Sequence, residues 1–178
     1  AREKNTEAAV AENGYMRFTR NLGSVKSSSG NFMIGYDDLY SVQYFGDNLR
    51  PYWNRTGDVT IERQFELADK EYGKLTRKAE EFDRRLMAEA TQAGGRKYAE
   101  LCALAYRQAI AAHKLVQSEE GFLMFLSKEN NSNGSIGTVD ITYPSLPIFL
   151  KYNTELAKAL MNHIFHYSES GRWTKPFP

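Results

Sequence analysis

The stretch VTIERQFELADKEYGKLTRKAEEFDRRLMAEA, residues 59–90, decides the fold class of this chain. Ile61, Phe65, Ala68, Tyr72, Leu75, Ala79, Phe82 and Leu86 recur at alternating spacings of four and three. On a 3.6-residue period they form one stripe, which predicts a long amphipathic helix. Asp58 is the expected N-cap. Glu66–Lys70, Glu80–Arg84 and Glu81–Arg85 are i,i+4 pairs on the solvent side, each worth about 0.3 kcal/mol. Gly94-Gly95 ends the helix. Residues 96–117 then read as a second helix, with Leu101, Ala105, Ala109, Ala112 and Val116 on one side. Its alanines allow close approach, so the two rods form an antiparallel helical hairpin.

Toward the N-terminus the pattern changes. Residues 1–14 are polar and Ala-rich, and read as loose chain or a short helix. Residues 15–20 read as a short strand. Leu22 to Gly30 is a Ser/Gly linker. In NFMIGYDDLYSVQYF, residues 31–45, alternation of Phe32, Ile34 and Tyr36, and of Val42 and Tyr44, predicts two short strands or a strand and an extended turn. Asp37-Asp38 marks a turn between them. GDNLRPYWNRTGD, residues 46–58, is turn-rich, and Tyr52 and Trp53 are expected to anchor it. The fold class is therefore mainly α with a small N-terminal β part (α+β). The division is 1–57, polar N-terminus and aromatic β segment, and 58–178, the helical hairpin region.

Past the hairpin, GFLMFLSK, residues 121–128, reads as an extended segment. It runs into SKENNSNGSIGTVDITYPS, residues 127–145, a polar Gly/Asn-rich loop carrying Lys128, Glu129, Asp140 and Tyr143. Loops of this length in a compact domain are usually functional or disordered. Ile136, Val139 and Ile141 inside it argue for a packed loop. Pro144 and Pro147 are expected to open a third helix. Asn153 or Thr154 caps a fourth, with Leu156, Leu160, Ile164 and Phe165 inward. Trp173 and Phe177 follow as apolar residues with little chain left to cover them, and the sequence reads as cut from something longer.

Bulk composition sets limits. The chain has 178 residues, enough for one domain with an appended element. It carries 23 basic and 22 acidic residues, a net charge of +1, which gives no electrostatic case for nucleic acid or an anionic membrane. No run approaches the ~20 apolar residues that span a bilayer. The single cysteine, Cys102, excludes an internal disulfide and reads as a small buried hydrophobe.

Four segments carry a family resemblance: YDDLYSVQYFGDNLRPYWNR (36–55), AYRQAIAAHKLV (105–116), SKENNSNGSIGTVDITYPS (127–145) and YSESGRWTKPF (167–177). They resemble the central part of the glutaminase A-like proteins of bacteria and fungi, from about Asn31 onward. The resemblance implies a longer, exported protein with a β-rich part followed by a six-hairpin α/α toroid, as in many glycosidases. This chain would be a middle piece of it, a fragment of that toroid. It also implies hydrolysis of L-glutamine to L-glutamate and ammonia, and does not itself assign catalytic residues.

On a toroid, loops at one rim line a cleft, and amide or glycoside hydrolysis needs a base, an acid and donors for developing charge. The expected catalytic pair is Asp140 and Glu129. Arg107, Tyr143, Lys128 and Asn133 are the expected substrate contacts, Arg107 through its carboxylate-matching fork. Structural roles stay open beside these: Asp140 capping a turn, Arg107 bracing a loop, Lys128 pairing with Glu129. His163 and His166 stand i,i+3 without a convincing third metal ligand, so no metal and no cofactor are expected. The expected partners are the remainder of a longer polypeptide and a small substrate, an amino acid or a sugar, with self-association of the piece. A fragment of a glycoside-processing toroid and a non-catalytic structural module are the alternatives, and the chain alone is expected to be inactive.

Overall fold

The computed structural model describes residues 6–10, 16–129 and 133–176. Residues 1–5 and 11–15 of the N-terminal segment, 130–132 of the polar loop, and Phe177 with Pro178 lie outside the described residues. The chain divides into two compact units, residues 1–34 and 35–178.

The first unit is a two-stranded antiparallel ribbon, β1 (Thr6–Val10) with β2 (Met16–Arg20), in register Thr6↔Arg20 to Val10↔Met16. The expected strand near residues 15–20 is present. Residues 6–10 are its partner, not loose chain or a helix, because cross-strand pairing overrides the weak helical preference of a short Ala-rich segment.

In the second unit, β3 (Val42–Tyr44) and β4 (Asp47–Leu49) form a small hairpin. Its two-residue turn, Phe45-Gly46, holds both φ angles positive, at 54° and 102°, as tight hairpins require. Only this part of residues 31–45 is a strand. Tyr36 is 86% exposed, so its alternation reflects no buried face. Tyr52–Asn54 form a 3-10 turn.

α1 (Ile61–Ala111) contains the helical hairpin. Thr60, not Asp58, caps it, its side chain accepting from Arg63 N. Glu66 pairs with Arg63 at 2.8 Å, not with Lys70. At Gly95 the backbone leaves the helix, with φ 80° and ψ 176°, a region open to glycine and hostile to other residues. The two arms return on each other: the rings of Phe82 and Tyr106 are 4.7 Å apart, where a straight helix would separate them by about 36 Å. Leu86, Ala90 and Ala99 are buried between them. Part of the expected apolar stripe is not: Tyr72, Leu75 and Leu101 are exposed. Cys102 is half-buried in the groove between the arms.

The second arm stops at Ala111, and residues expected to continue it form β5 (His113–Gln117) instead. β5 pairs antiparallel with β6 (Leu123–Ser127), from His113↔Ser127 to Gln117↔Leu123. The β structure is thus not confined to the N-terminal part. Side chains alternate across this ribbon. Val116, Met124 and Leu126 pack with Val42 and Leu49 on one face. Phe125, with Leu115 and Leu123 beside it, packs on the other face against Phe149, Ala157, Ala159 and Leu160. Two-sided burial explains why Leu115-Val116 form a strand where local periodicity suggests a helix, and the expected extended segment at Leu123–Ser127 is its partner.

α2 (Val139–Tyr152) and α3 (Thr154–Glu169) supply that second face. Pro144 and Pro147 lie inside α2, not at its start. Each proline removes an N–H from the ladder. Hydroxyls serve carbonyls nearby: Ser145 Oγ donates to Ile141 O at 2.9 Å and Thr142 Oγ1 to Thr138 O at 3.2 Å. Burial of Thr142 and Phe149 holds the helix in place. Asn153 caps α3 through Leu156 N. Leu160 is fully buried, whereas Phe165, expected inward, is exposed. Among the described residues, no helix is long and apolar enough to cross a membrane.

Candidate functional site

The polar segment is knotted at its neck. Lys128 N donates to Ala112 O at 2.9 Å, Gly137 N to Ser127 O at 2.8 Å and Glu129 N to Ser135 O at 3.2 Å. Lys128 and Ile136 form an isolated antiparallel bridge, and Asn133 Oδ1 accepts from Ser135 N at 2.7 Å. These bonds satisfy backbone groups that a free loop would leave to water, and they hold Lys128 and Glu129 at the end of the β5–β6 ribbon.

There a polar recess of about 350 Å³ opens, lined by Ala111, Ala112, His113, Lys114, Lys128 and Glu129. One carboxylate and two ammonium groups surround it. Lys114 is anchored by Asp38 at 2.6 Å. Burial raises the Asp38 carboxyl, but Lys114 and the Ser41 hydroxyl outweigh it and leave its pKa below the usual carboxylate value. His113 is buried, stacks on Phe125 with centroids 4.6 Å apart and bonds Ala109 O at 2.5 Å through Nδ1. A carbonyl only accepts, so Nδ1 carries the proton. Burial lowers the His113 pKa, and the ring is a neutral imidazole whose Nε2 has no partner among the described residues.

The other expected residues lie elsewhere. Asp140 sits in the first turn of α2, exposed, where a carboxylate favours the helix N-terminus. Tyr143 is 81% exposed one turn on. Asn133 is exposed and serves its own turn. Arg107 is exposed on the second arm of α1. Lys128 and Glu129 are therefore the expected site residues that share a recess, and His113 and Lys114 join them. These two were legible only as helix continuation, because the β5 pairing that turns them into the recess is non-local.

On the far side of the same segment, Gly137 and Val139 line a second recess of about 380 Å³ with Tyr44, His163, Ile164, Tyr167, Ser168 and Trp173. His163 and His166 do not converge on a metal site. His163 Nε2 bonds Gly137 O at 2.9 Å, while His166 Nδ1 meets Tyr44 Oη at 2.8 Å and its Nε2 lies 3.3 Å from Glu120. Among the described residues, no group of three or more His, Cys, Asp or Glu stands ready for a metal ion.

A helical hairpin, a buried β ribbon and two further helices define a helical-hairpin domain. The model of the glutaminase A six helical-hairpin domain matches residues 95–178. A second model, described as a domain of unknown function (DUF5127), matches residues 1–89. The two meet at the bend of α1. The chain is 31% identical over 180 residues to Glutaminase A of Aspergillus oryzae, covering 98% of this chain and 26% of that protein. It is 28% identical over 126 residues to a probable glutaminase of Arthroderma benhamiae, covering 70% of this chain and 14% of that protein. It spans about a quarter or less of the length of these fungal relatives. No solved structure gives a significant match. The chain belongs to the glutaminase A-like family.

Proposed function

We propose that this chain is part of an exported amidohydrolase that converts L-glutamine to L-glutamate and ammonia. In that enzyme it supplies one wall of a cleft on a toroid of helical hairpins. The observation that carries the reading is the 31% identity to a protein named Glutaminase A, sustained along 98% of the chain. The polar recess adds chemical sense. A free amino acid presents an α-carboxylate and an α-ammonium, and Lys128 and Glu129 offer the opposite charges around one opening.

In this reading Glu129 and Asp140 are the carboxylates that activate water and protonate the departing amine. Lys128 holds the substrate carboxylate at the recess, and Arg107, Asn133 and Tyr143, which lie outside it, supply further polar contacts from the cleft wall that the remaining hairpins complete. The remaining hairpins cover the exposed apolar residues of α1 and complete the cleft. The chain by itself releases no ammonia, because one hairpin does not enclose a site.

The test uses a longer polypeptide that contains this chain, with the chain alone as control. Ammonia release from glutamine and sugar release from aryl glycosides are measured side by side. Loss of ammonia release in Glu129→Gln and Asp140→Asn supports the assignment. Sugar release alone points to a glycoside-processing enzyme. The exposed positions of Asp140 and Arg107 favour a second reading, a structural module without catalytic residues. Unchanged rates in both variants establish it.

A further inference from the structure

A second polar recess lies apart from the proposed site. It has a volume of about 280 Å³ and is built by three elements: β4, the segment after it and the β5–β6 turn. Its polar lining is Asn48, Arg50, Arg55, Gln117, Ser118 and Glu119. The arginines are held in place without acidic partners. Arg50 places its guanidinium 5.0 Å from the centroid of Tyr40, and its side chain lies so close to the turn at Gly57 that a Cβ there would stand 3.0 Å from Arg50 Nε. Arg55 lies 4.4 Å from the centroid of Tyr52 and donates to Tyr52 O at 3.1 Å. Among the described residues, neither forms an ion pair within 4.0 Å.

The frame is rigid. Pro51 is buried and bridges Val116, and buried Asn54 accepts from Val59 N at 3.0 Å. Two of the other polar groups, Asn48 and Ser118, have donor capacity to spare. Asn48 Oδ1 accepts from Gln43 at 3.3 Å, which leaves its amide hydrogens to the recess. Ser118 is buried, and its Oγ accepts from Phe122 N at 3.2 Å, with no acceptor among the described residues for its proton. Gln117 is committed to Gly121 O at 2.8 Å. Glu119, exposed at the rim, is the one acidic side chain of the lining.

We propose that this recess binds a small oxyanion, a carboxylate, phosphate or sulfate group, between Arg50 and Arg55, with Ser118 and Asn48 completing its hydrogen bonds. Two guanidinium groups lining one concave surface give it a positive potential that draws an anion, and their planar forks match the oxygens of such groups. The proposal is independent of any glutaminase activity.

The test is calorimetric titration of the full chain with sodium phosphate and, separately, with sodium acetate and L-glutamate, against sodium chloride at matched ionic strength. Saturable binding is expected for at least one of these anions, and which one responds identifies the class of group. Arg50→Gln and Arg55→Gln should each weaken it tenfold or more. Glu119→Gln should strengthen it several-fold, since it removes the one opposing charge. Arg55 is exposed, so its variant keeps the fold, and circular dichroism checks this. Absence of saturable binding above the chloride control overturns the proposal. So does binding that the Arg50→Gln/Arg55→Gln double variant leaves unchanged.

Discussion

His163 Nε2 donates to the carbonyl of Gly137 at 2.9 Å, fastening α3 to the end of the polar segment. Gly137 holds φ at +69°, and a Cβ there would collide with the His163 ring. One glycine thus meets two demands, a left-handed backbone and close approach of an imidazole. Its N–H also donates to Ser127 O, so the same residue closes the neck that positions Lys128 and Glu129.

Gly137→Ala should destabilise the protein by about 2 kcal/mol, from backbone strain and displacement of His163. Urea unfolding measures this. Gly134→Ala, at an open position with ordinary φ, should leave the midpoint within about 0.5 kcal/mol of the parent. Equal effects at the two glycines would refute the latch.

Stability should fall in mild acid. Burial lowers the pKa of His113 and of His163, only partly opposed by their bonds to Ala109 O and Gly137 O. The folded protein therefore takes up these protons less readily than the unfolded chain, whose histidines titrate near about pH 6.5. The two sites contribute fully above that value, and their contribution is lost as pH drops through the depressed folded values, at up to about 1.4 kcal/mol per pH unit for each site. Asp38 and Glu89, also lowered, act in the more acid carboxylate window. Urea midpoints from pH 8 to 5 should be level, then decline. A level profile throughout contradicts burial of neutral imidazoles.

The Lys114–Asp38 pair joins β5 to the segment before β3 at 2.6 Å, with side chains 38% and 30% exposed. Partial exposure limits its worth to about 1 kcal/mol or less. A double-mutant cycle with Lys114→Met and Asp38→Asn should return a coupling of that size, smaller in 1 M salt. A coupling near 3 kcal/mol would mean a drier site than this geometry provides.

Phe149→Ala should cost about 3–5 kcal/mol, since the ring is fully buried between Phe125 and α3. Leu101→Gln with Leu104→Gln should change stability by less than about 1 kcal/mol, because both residues are largely exposed. The same pair should reduce self-association of the chain at high concentration, read by sedimentation velocity, because it removes apolar surface from the hairpin. Unchanged association would place the contact elsewhere.

The helical hairpin was legible in the sequence because its information is local: a stripe repeating every turn and a Gly-Gly break that only glycine conformations satisfy. The strand at Leu123 to Ser127 and the Asn153 cap were legible for the same reason, each stated by a few adjacent residues. Other features had no local signature. Residues 113–117 continue a helical pattern and form a strand because Leu123 to Ser127 pair with them and two apolar clusters need both faces. α2 runs through two prolines because burial of Phe149 outweighs the missing N–H groups. The recess holding His113, Lys114, Lys128 and Glu129 exists only once that strand pairing has joined residues on either side of a turn. Periodicity and turn chemistry act over one or two turns of chain and can be read in order. Strand pairing and site assembly depend on which distant segments exclude water together, and only the tertiary structure decided that.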